Sequence, residues 1–300
     1  MNPLNQVMVS ALQLFPKSFI KKFAMRYIAG EDISDSVRVS KELNAKGMMT
    51  TVDVLGENVN SKEEALSFRT ACEEVLYVIN ENNLNSNLSI KLTQIGLKLN
   101  FDFCYENVRN LLEVAKKLGN FVRIDMEDSS TTSDTLKLYE RLRNEGYDNT
   151  GVVIQAYLRR SEEDVRWLVE LKANVRLCKG IYIEPSTIAY KGKDEIRENY
   201  LKLLQMLLDG NCYVGIATHD DYLINNAYSM LKKSGREKER YEFQVLYGVR
   251  TALRDRIVSD GHRLRVYVPF GREWYPYSIR RFKENPQFAV NVMKAIISGE

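Results

Sequence analysis

Several short segments of this chain alternate, residue by residue, between apolar and reactive side chains. In NLSIKLTQ (87–94) Leu88, Ile90 and Leu92 interleave with Ser89, Lys91 and Thr93. In FVRIDME (121–127) Val122, Ile124 and Met126 interleave with Arg123, Asp125 and Glu127. The same count sets apart Gln155 and Tyr157 in GVVIQAYL (151–158), then Asn174, Arg176 and Cys178 in NVRLCKG (174–180). Arg265 and Tyr267 follow in LRVYVPF (264–270), and Asp53 stands alone in MMTTVDVL (48–55). Carboxylates beside guanidinium and ammonium groups suit proton transfer, anion binding and stabilisation of developing negative charge. Lysines beside carboxylates also suit Schiff-base chemistry. Charges leave water only when paired or serving a ligand. For Arg123, Glu127 and Arg265, a buried ion-pair network with no catalytic consequence therefore stands beside the functional reading.

Such alternation belongs to strands, whose successive residues face opposite sides. NCYVGIATH (211–219) and YEFQVLYG (241–248) complete eight strand-like runs. Longer amphipathic stretches separate them at a period of about 30 residues, the size of a βαβ unit. This order predicts an α/β fold, a closed (βα)8 barrel over residues 47–300, with residues 1–46 as a helical arm packed on it. An open doubly wound sheet would carry GxGxxG after its first strand, where the chain reads LGENVNS. In the helix after the first strand, Phe68, Ala71, Val75 and Ile79 recur on one face. Ser61 with Glu64, and Ser161 with Asp164, read as capping boxes. Gly119, Gly146, Gly210 and Gly235 read as left-handed helix ends. Barrel enzymes place their chemistry at the C-terminal strand ends, while their interiors are ordinarily Val, Ile and Leu. Lys91, Asp125, Arg176, Lys179, His219 and Tyr267 are therefore the functional candidates. His262, in SDGHR, reads as a surface turn residue.

Composition narrows the classes. With 300 residues, 44% of them hydrophobic, the chain can bury the core of a single large domain. A net charge of +3, from 43 basic and 40 acidic groups, argues against nucleic acid as a partner. Cys72, Cys104, Cys178 and Cys212 stand apart without a CxxC pair, so no metal site is expected and a reducing compartment fits. MNPLNQVMVSALQLFPKSFIKKF lacks the charged start and cleavage site of a signal peptide. No run approaches the ~20 apolar residues needed to span a bilayer. The expectation is a cytoplasmic protein with at most weak peripheral contact at the inner face of the cell membrane, through residues 7–20 and the final helix.

IKLTQIG, VRIDMEDS, VVIQAYLRRS, NVRLCKGIY, ATHDD, FQVLYGVR and YVPFGREWYPYSIRRFKEN occur in that order. Together they resemble the strand-end motifs of proline dehydrogenases. RYIAGEDISDSVRVSKELNAKGMMTTVDVLGENV is similar to the stretch leading into the first strand of the monofunctional bacterial enzymes. The resemblance covers residues 26–290. It implies a noncovalent FAD over the C-terminal face of the barrel, with L-proline beneath its isoalloxazine ring. It further implies Δ1-pyrroline-5-carboxylate as product and a membrane quinone as electron acceptor. On matching positions, Arg280 and Arg281 would clamp the proline carboxylate and Lys91 would add charge there. Asp125 would support Tyr267, which packs on the substrate, with Tyr182 and Leu246 as further walls. Arg176 matches the arginine near flavin N5, so Asp125 and Arg176 are the expected catalytic pair. Met126, Gln155, Lys179, Gly180, Ile181, Thr218, His219 and Glu284 match cofactor contacts. A glycine at 180 would let the backbone approach the flavin closely. Where the larger bifunctional relatives carry tryptophan, this chain has Ile183. At 300 residues it is too short for their aldehyde dehydrogenase module, so only the first oxidation is expected. A Schiff-base aldolase on the same barrel, using Lys91 or Lys179, would leave Arg280 and Arg281 without a task. A non-catalytic barrel would be expected to have lost the lumenal charges kept here.

Overall fold

Eight parallel strands pair in sequence order and close on themselves. They are β1 (Met49–Val54), β2 (Ser86–Ile90), β3 (Val122–Ile124), β4 (Thr150–Gln155), β5 (Asn174–Cys178), β6 (Tyr213–Ala217), β7 (Tyr241–Leu246) and β8 (Leu264–Phe270). β8 meets β1 in register from Met49↔Arg265 to Val54↔Phe270. The computed structural model describes residues 17–56 and 58–284; the side chains of residues 18, 19, 22, 23 and 280–284 fall outside that description. α1 (Lys17–Ala24) and α2 (Ile33–Asn44) precede the barrel. α3 (Lys62–Glu81), α4 (Phe101–Lys117), α5 (Ser129–Asn144), α6 (Ser161–Glu170), α7 (Lys193–Asp209), α8 (Asp221–Ser234) and α9 (Thr251–Ser259) connect the strands, and α10 (Trp274–Glu284) follows them. α2, with Val39 and Leu43 buried, covers the β8–β1 seam, whereas α10 lies against α1. The core lies between strands and helices, where Leu88, Ile90, Val122, Ile124, Val175, Leu177, Val214, Ile216, Val266 and Val268 are wholly buried.

The strands stop two to four residues short of several alternating runs. Lys91, Asp125, Glu127, Tyr157 and Lys179 stand just beyond their strand ends. There the backbone curls: the Gln94 and Ile95 N–H groups both turn back to the Lys91 carbonyl (3.1 and 3.3 Å). Alternation persists through these residues because both sides remain buried, although the ladder has ended.

Four local expectations need correction. Ser61 accepts the Glu64 N–H (3.1 Å), but the Glu64 carboxylate takes the Asn60 N–H (2.7 Å), one residue outside the box. Ser161 is no cap: Arg160 is already helical, so the Ser161 hydroxyl turns to the Gln155 carbonyl (2.5 Å) and Asp164 pairs with Arg160 (2.9 Å). Gly119, Gly146 and Gly235 are left-handed, but Gly210 has φ −71° and Asn211 makes the left-handed turn at +56°. His262 is folded back onto β7, with Nδ1 2.8 Å from the Tyr241 hydroxyl and its ring against Tyr228 and Phe243, so burial lowers its pKa.

Candidate active site

Alternation aims one face of every strand into the lumen, and long polar side chains meet there from both adjacent and non-adjacent strands. At the N-terminal end the Arg265 guanidinium grips the Glu242 carboxylate (2.7 and 3.1 Å), which also accepts the Tyr213 hydroxyl (2.6 Å). Arg123 spans from β3 to β5, donating to the Val152 and Asn174 carbonyls (3.0 and 2.7 Å) and to the Asn174 side chain. The expected Arg123–Glu127–Arg265 network is therefore a different one. Arg265 pairs with Glu242, while Glu127, at the opposite end of the barrel, accepts the Thr93 N–H (3.0 Å) and hydroxyl (2.5 Å). Distance along the barrel axis, invisible in the alternation, separates them.

Toward the C-terminal end, Arg176 donates from Nε to Gln244 Oε1 and from Nη1 to Asp125 Oδ1, both at 2.5 Å. Asp125 accepts further bonds from the Ser89 hydroxyl (2.7 Å) and the Tyr267 hydroxyl (2.8 Å). The Arg176 guanidinium stands 5.3 Å from the Tyr267 ring centre. Lys91 bonds Asp53 (2.8 Å) and approaches the Tyr267 hydroxyl (3.4 Å). Burial pushes the Asp125 carboxyl up, but the charges of Arg176 and Lys91, with the Ser89 and Tyr267 hydrogen bonds, outweigh it and hold the group below the usual range. Burial raises Asp53, which Lys91 only partly offsets. Tyr267 is held well above an ordinary phenol by burial, then by the neighbouring carboxylates, so it keeps its proton. At the N-terminal end Glu242 is drawn down to about 2: burial opposes this, and Arg265 with the hydrogen bonds around it prevails.

Most of the other expected residues stand at or just past the C-terminal ends of β3 to β7. Gln155 is buried and bonds the Glu127 carbonyl (2.8 Å), and Met126 is buried in the core. Thr218 accepts the Asp220 N–H (3.2 Å). His219 Nε2 accepts the Leu246 N–H (3.0 Å), which joins two expected residues and makes that nitrogen unprotonated. Lys179 pairs with Asp220 (3.5 Å) and not with the Asp125 cluster. Gly180 has φ +105°, and a Cβ built there would overlap the Tyr157 ring, so its own chain already demands glycine. Tyr157 packs with Leu158 and Ala189 past the end of β4. Ile181 is exposed, Tyr182 half-buried and Ile183 90% exposed. Arg280, Arg281 and Glu284 lie on α10, but their side chains are outside the described residues. Glu242 and Gln244 escaped the sequence reading, although YEFQ carries the same alternation that exposed Arg123 and Asp125.

The sequence model of the family described as Proline dehydrogenase matches residues 36–293. Proline dehydrogenase 1 of Bacillus subtilis (strain 168) is 39% identical over 275 residues, covering 91% of this chain and 90% of its own. The Proline dehydrogenase of Deinococcus radiodurans is 34% identical over 280 residues, covering 92% and 90%. Among solved structures, proline utilization A from Bdellovibrio bacteriovorus, inactivated by N-propargylglycine, gives a TM-score of 0.83 at 26% identity. The match covers 90% of this chain and 34% of that one, so this chain spans about a third of its length. Agreement that runs from α2 through every strand to α10 is agreement of a whole fold, and the chain belongs to the proline dehydrogenase family, enzymes that oxidise proline.

Proposed function

We propose that the chain oxidises L-proline to Δ1-pyrroline-5-carboxylate at the C-terminal mouth of the barrel, with noncovalent FAD and a membrane quinone as successive electron acceptors. The observation that carries this reading is the Arg176 guanidinium, held by Asp125 and Gln244 beneath Tyr267 at the strand ends. When bound, FAD supplies the hydride acceptor. The donor set fits it: Gln155, Lys179, Thr218 and His219 ring the mouth with hydrogen-bonding and cationic groups suited to a ribityl chain and diphosphate. Gly180, Ile181, Met126 and Glu284 complete the proposed cofactor contacts, and Arg176 places a fixed positive charge where negative charge develops.

Arg280 and Arg281, with Lys91, hold the substrate carboxylate, because paired guanidiniums bind it bidentately. Tyr267, Tyr182 and Leu246 wall the ring. The amine must be neutral when its neighbouring C–H bond breaks, because a protonated nitrogen has no lone pair for the forming imine. Asp125 is a poor base for that proton, since its oxygens already accept from Arg176, Ser89 and Tyr267 and its pKa is depressed. Tyr267, protonated and donating to Asp125, is equally unsuited. These two residues orient, and the amine proton leaves to water. No helix among the described residues is long and apolar enough to cross a membrane; a cytoplasmic enzyme touching the membrane only peripherally is our reading.

The purified protein should show a flavin absorbance spectrum that L-proline bleaches anaerobically. A preparation that stays colourless after reconstitution with FAD would overturn the proposal. Incubation with N-propargylglycine, which inactivates the Bdellovibrio protein, should abolish that bleaching.

A further inference from the structure

Gln244 is buried in the lumen and touches the chemistry above only through Arg176. Its Nε2 donates to Glu242 Oε1 (2.6 Å) and its Oε1 accepts from Arg176 Nε (2.5 Å). An ionised carboxylate only accepts and a guanidinium only donates, so joining them needs one donor and one acceptor in a fixed plane, which a carboxamide supplies. The reversed amide would set NH2 against guanidinium and oxygen against carboxylate, so a single orientation survives. Glu242 is itself immobilised by Arg265 (2.7 and 3.1 Å) and Tyr213 (2.6 Å). Space is reserved as well: a Cβ on Gly215, in the neighbouring β6, would stand 2.5 Å from Gln244 Nε2 and 2.9 Å from its Cδ.

We infer that Gln244, oriented by Glu242 and given room by Gly215, is a positioning residue that fixes the plane of the Arg176 guanidinium toward the flavin. Held by Asp125 alone, the guanidinium would pivot about one bond; the second bond, at Nε, stops that rotation. The inference rests on the reading that Arg176 lies against the cofactor.

The test uses FAD-loaded enzyme and reads the limiting rate of flavin reduction, the proline Kd and the midpoint potential of the bound flavin. Gln244→Met keeps the bulk and removes both hydrogen bonds. The limiting rate should fall on the order of tenfold, less than the ~10²–10³ expected for deleting a charge-stabilising donor outright. Proline Kd should stay within about threefold, a small change on the free-energy scale, and the midpoint potential should move negative as the positive charge becomes less well aimed. Gly215→Ala, whose methyl would meet the Gln244 carboxamide first, should give the same effects more weakly, and it decides the matter should Gln244→Met fail to fold. Combined with Arg176→Lys, Gln244→Met should add nothing further, because residues acting through one group are not additive. Should Arg176→Lys leave rate and potential unchanged, the placement of Arg176 at the flavin is wrong. Should Arg176→Lys matter while Gln244→Met and Gly215→Ala both behave as wild type, or should the double variant lose the full sum, the positioning role of Gln244 is overturned.

Discussion

At the scale of single residues, the proposed chemistry depends on side chains that the barrel holds by pairing charges. Arg280 and Arg281 are expected to bind the proline carboxylate, whose charge persists throughout the reaction. Replacing either with Ala should therefore mainly raise KM, and the loss of a charge-assisted bond worth ~1.5–3 kcal/mol should cost roughly ten- to a hundredfold in kcat/KM. Lys at either position should rescue only part of this, because a point charge lacks the paired geometry. Steady-state kinetics on variants that retain FAD check this, and a wild-type KM in both would shift the carboxylate to Lys91. Gly180 makes a second case. Ala there would meet the Tyr157 ring at a φ that L residues rarely adopt. Strain of about 1–3 kcal/mol is expected, read as a lower urea midpoint and weaker FAD retention. The family resemblance marked this glycine for close approach to a ligand; only the structure shows a tyrosine of the same chain in the way.

Among the elements, the connection from β5 to α7 carries Lys179, Gly180, Ile181 and Tyr182 of the proposed site and no helix or strand of its own beyond an isolated bridge at Ala189. Residues 179–192 carry the exposed Ile181 and Ile183, yet Glu184 within them is buried. Its carboxylate accepts the Ser129 N–H (2.7 Å) and hydroxyl (2.6 Å) at the N-terminus of α5, and Lys191 bonds the Glu184 carbonyl. An acidic group on those unpaired N–H donors caps a neighbouring helix and pins the loop at once. Glu184→Ala should cost about 1 kcal/mol of stability, as other lost caps do. It should also speed amide exchange across 180–190 more than elsewhere; uniform exchange would mean the loop is held by other contacts. Nothing in the sequence marks Glu184 as a cap, because its partner lies 55 residues away.

For the whole molecule, closure of β8 onto β1 brings the lumenal charges together, and their pairing makes stability depend on pH. Glu242 has its folded-state pKa drawn from 4.5 to about 2. Because the folded value is depressed, its contribution is fully present above the unfolded pKa and is lost as pH falls through the folded one. Stability should therefore decline from about pH 4.5 toward pH 2. Thermal melts across that range should show a shallower decline for Glu242→Gln than for wild type. Equal slopes would remove Glu242 from the acid response.

The fold was legible because its signals are local. Alternation within each run and helical periodicity between runs both survive in one dimension, and eight repeats leave few closed arrangements. Part of the candidate site was legible for the same reason: inward-facing Lys91, Asp125, Arg176 and Tyr267 stand out against an apolar background. Their partners were not. Arg265 chose Glu242 over Glu127, Arg176 gained Gln244, and Lys179 turned to Asp220, because such choices depend on height along the barrel axis and on which strands face each other. His262 and Ser161 escaped for a related reason. A ring or hydroxyl at a turn takes whichever partner the neighbouring strand presents, and only the closed barrel determines which strand that is.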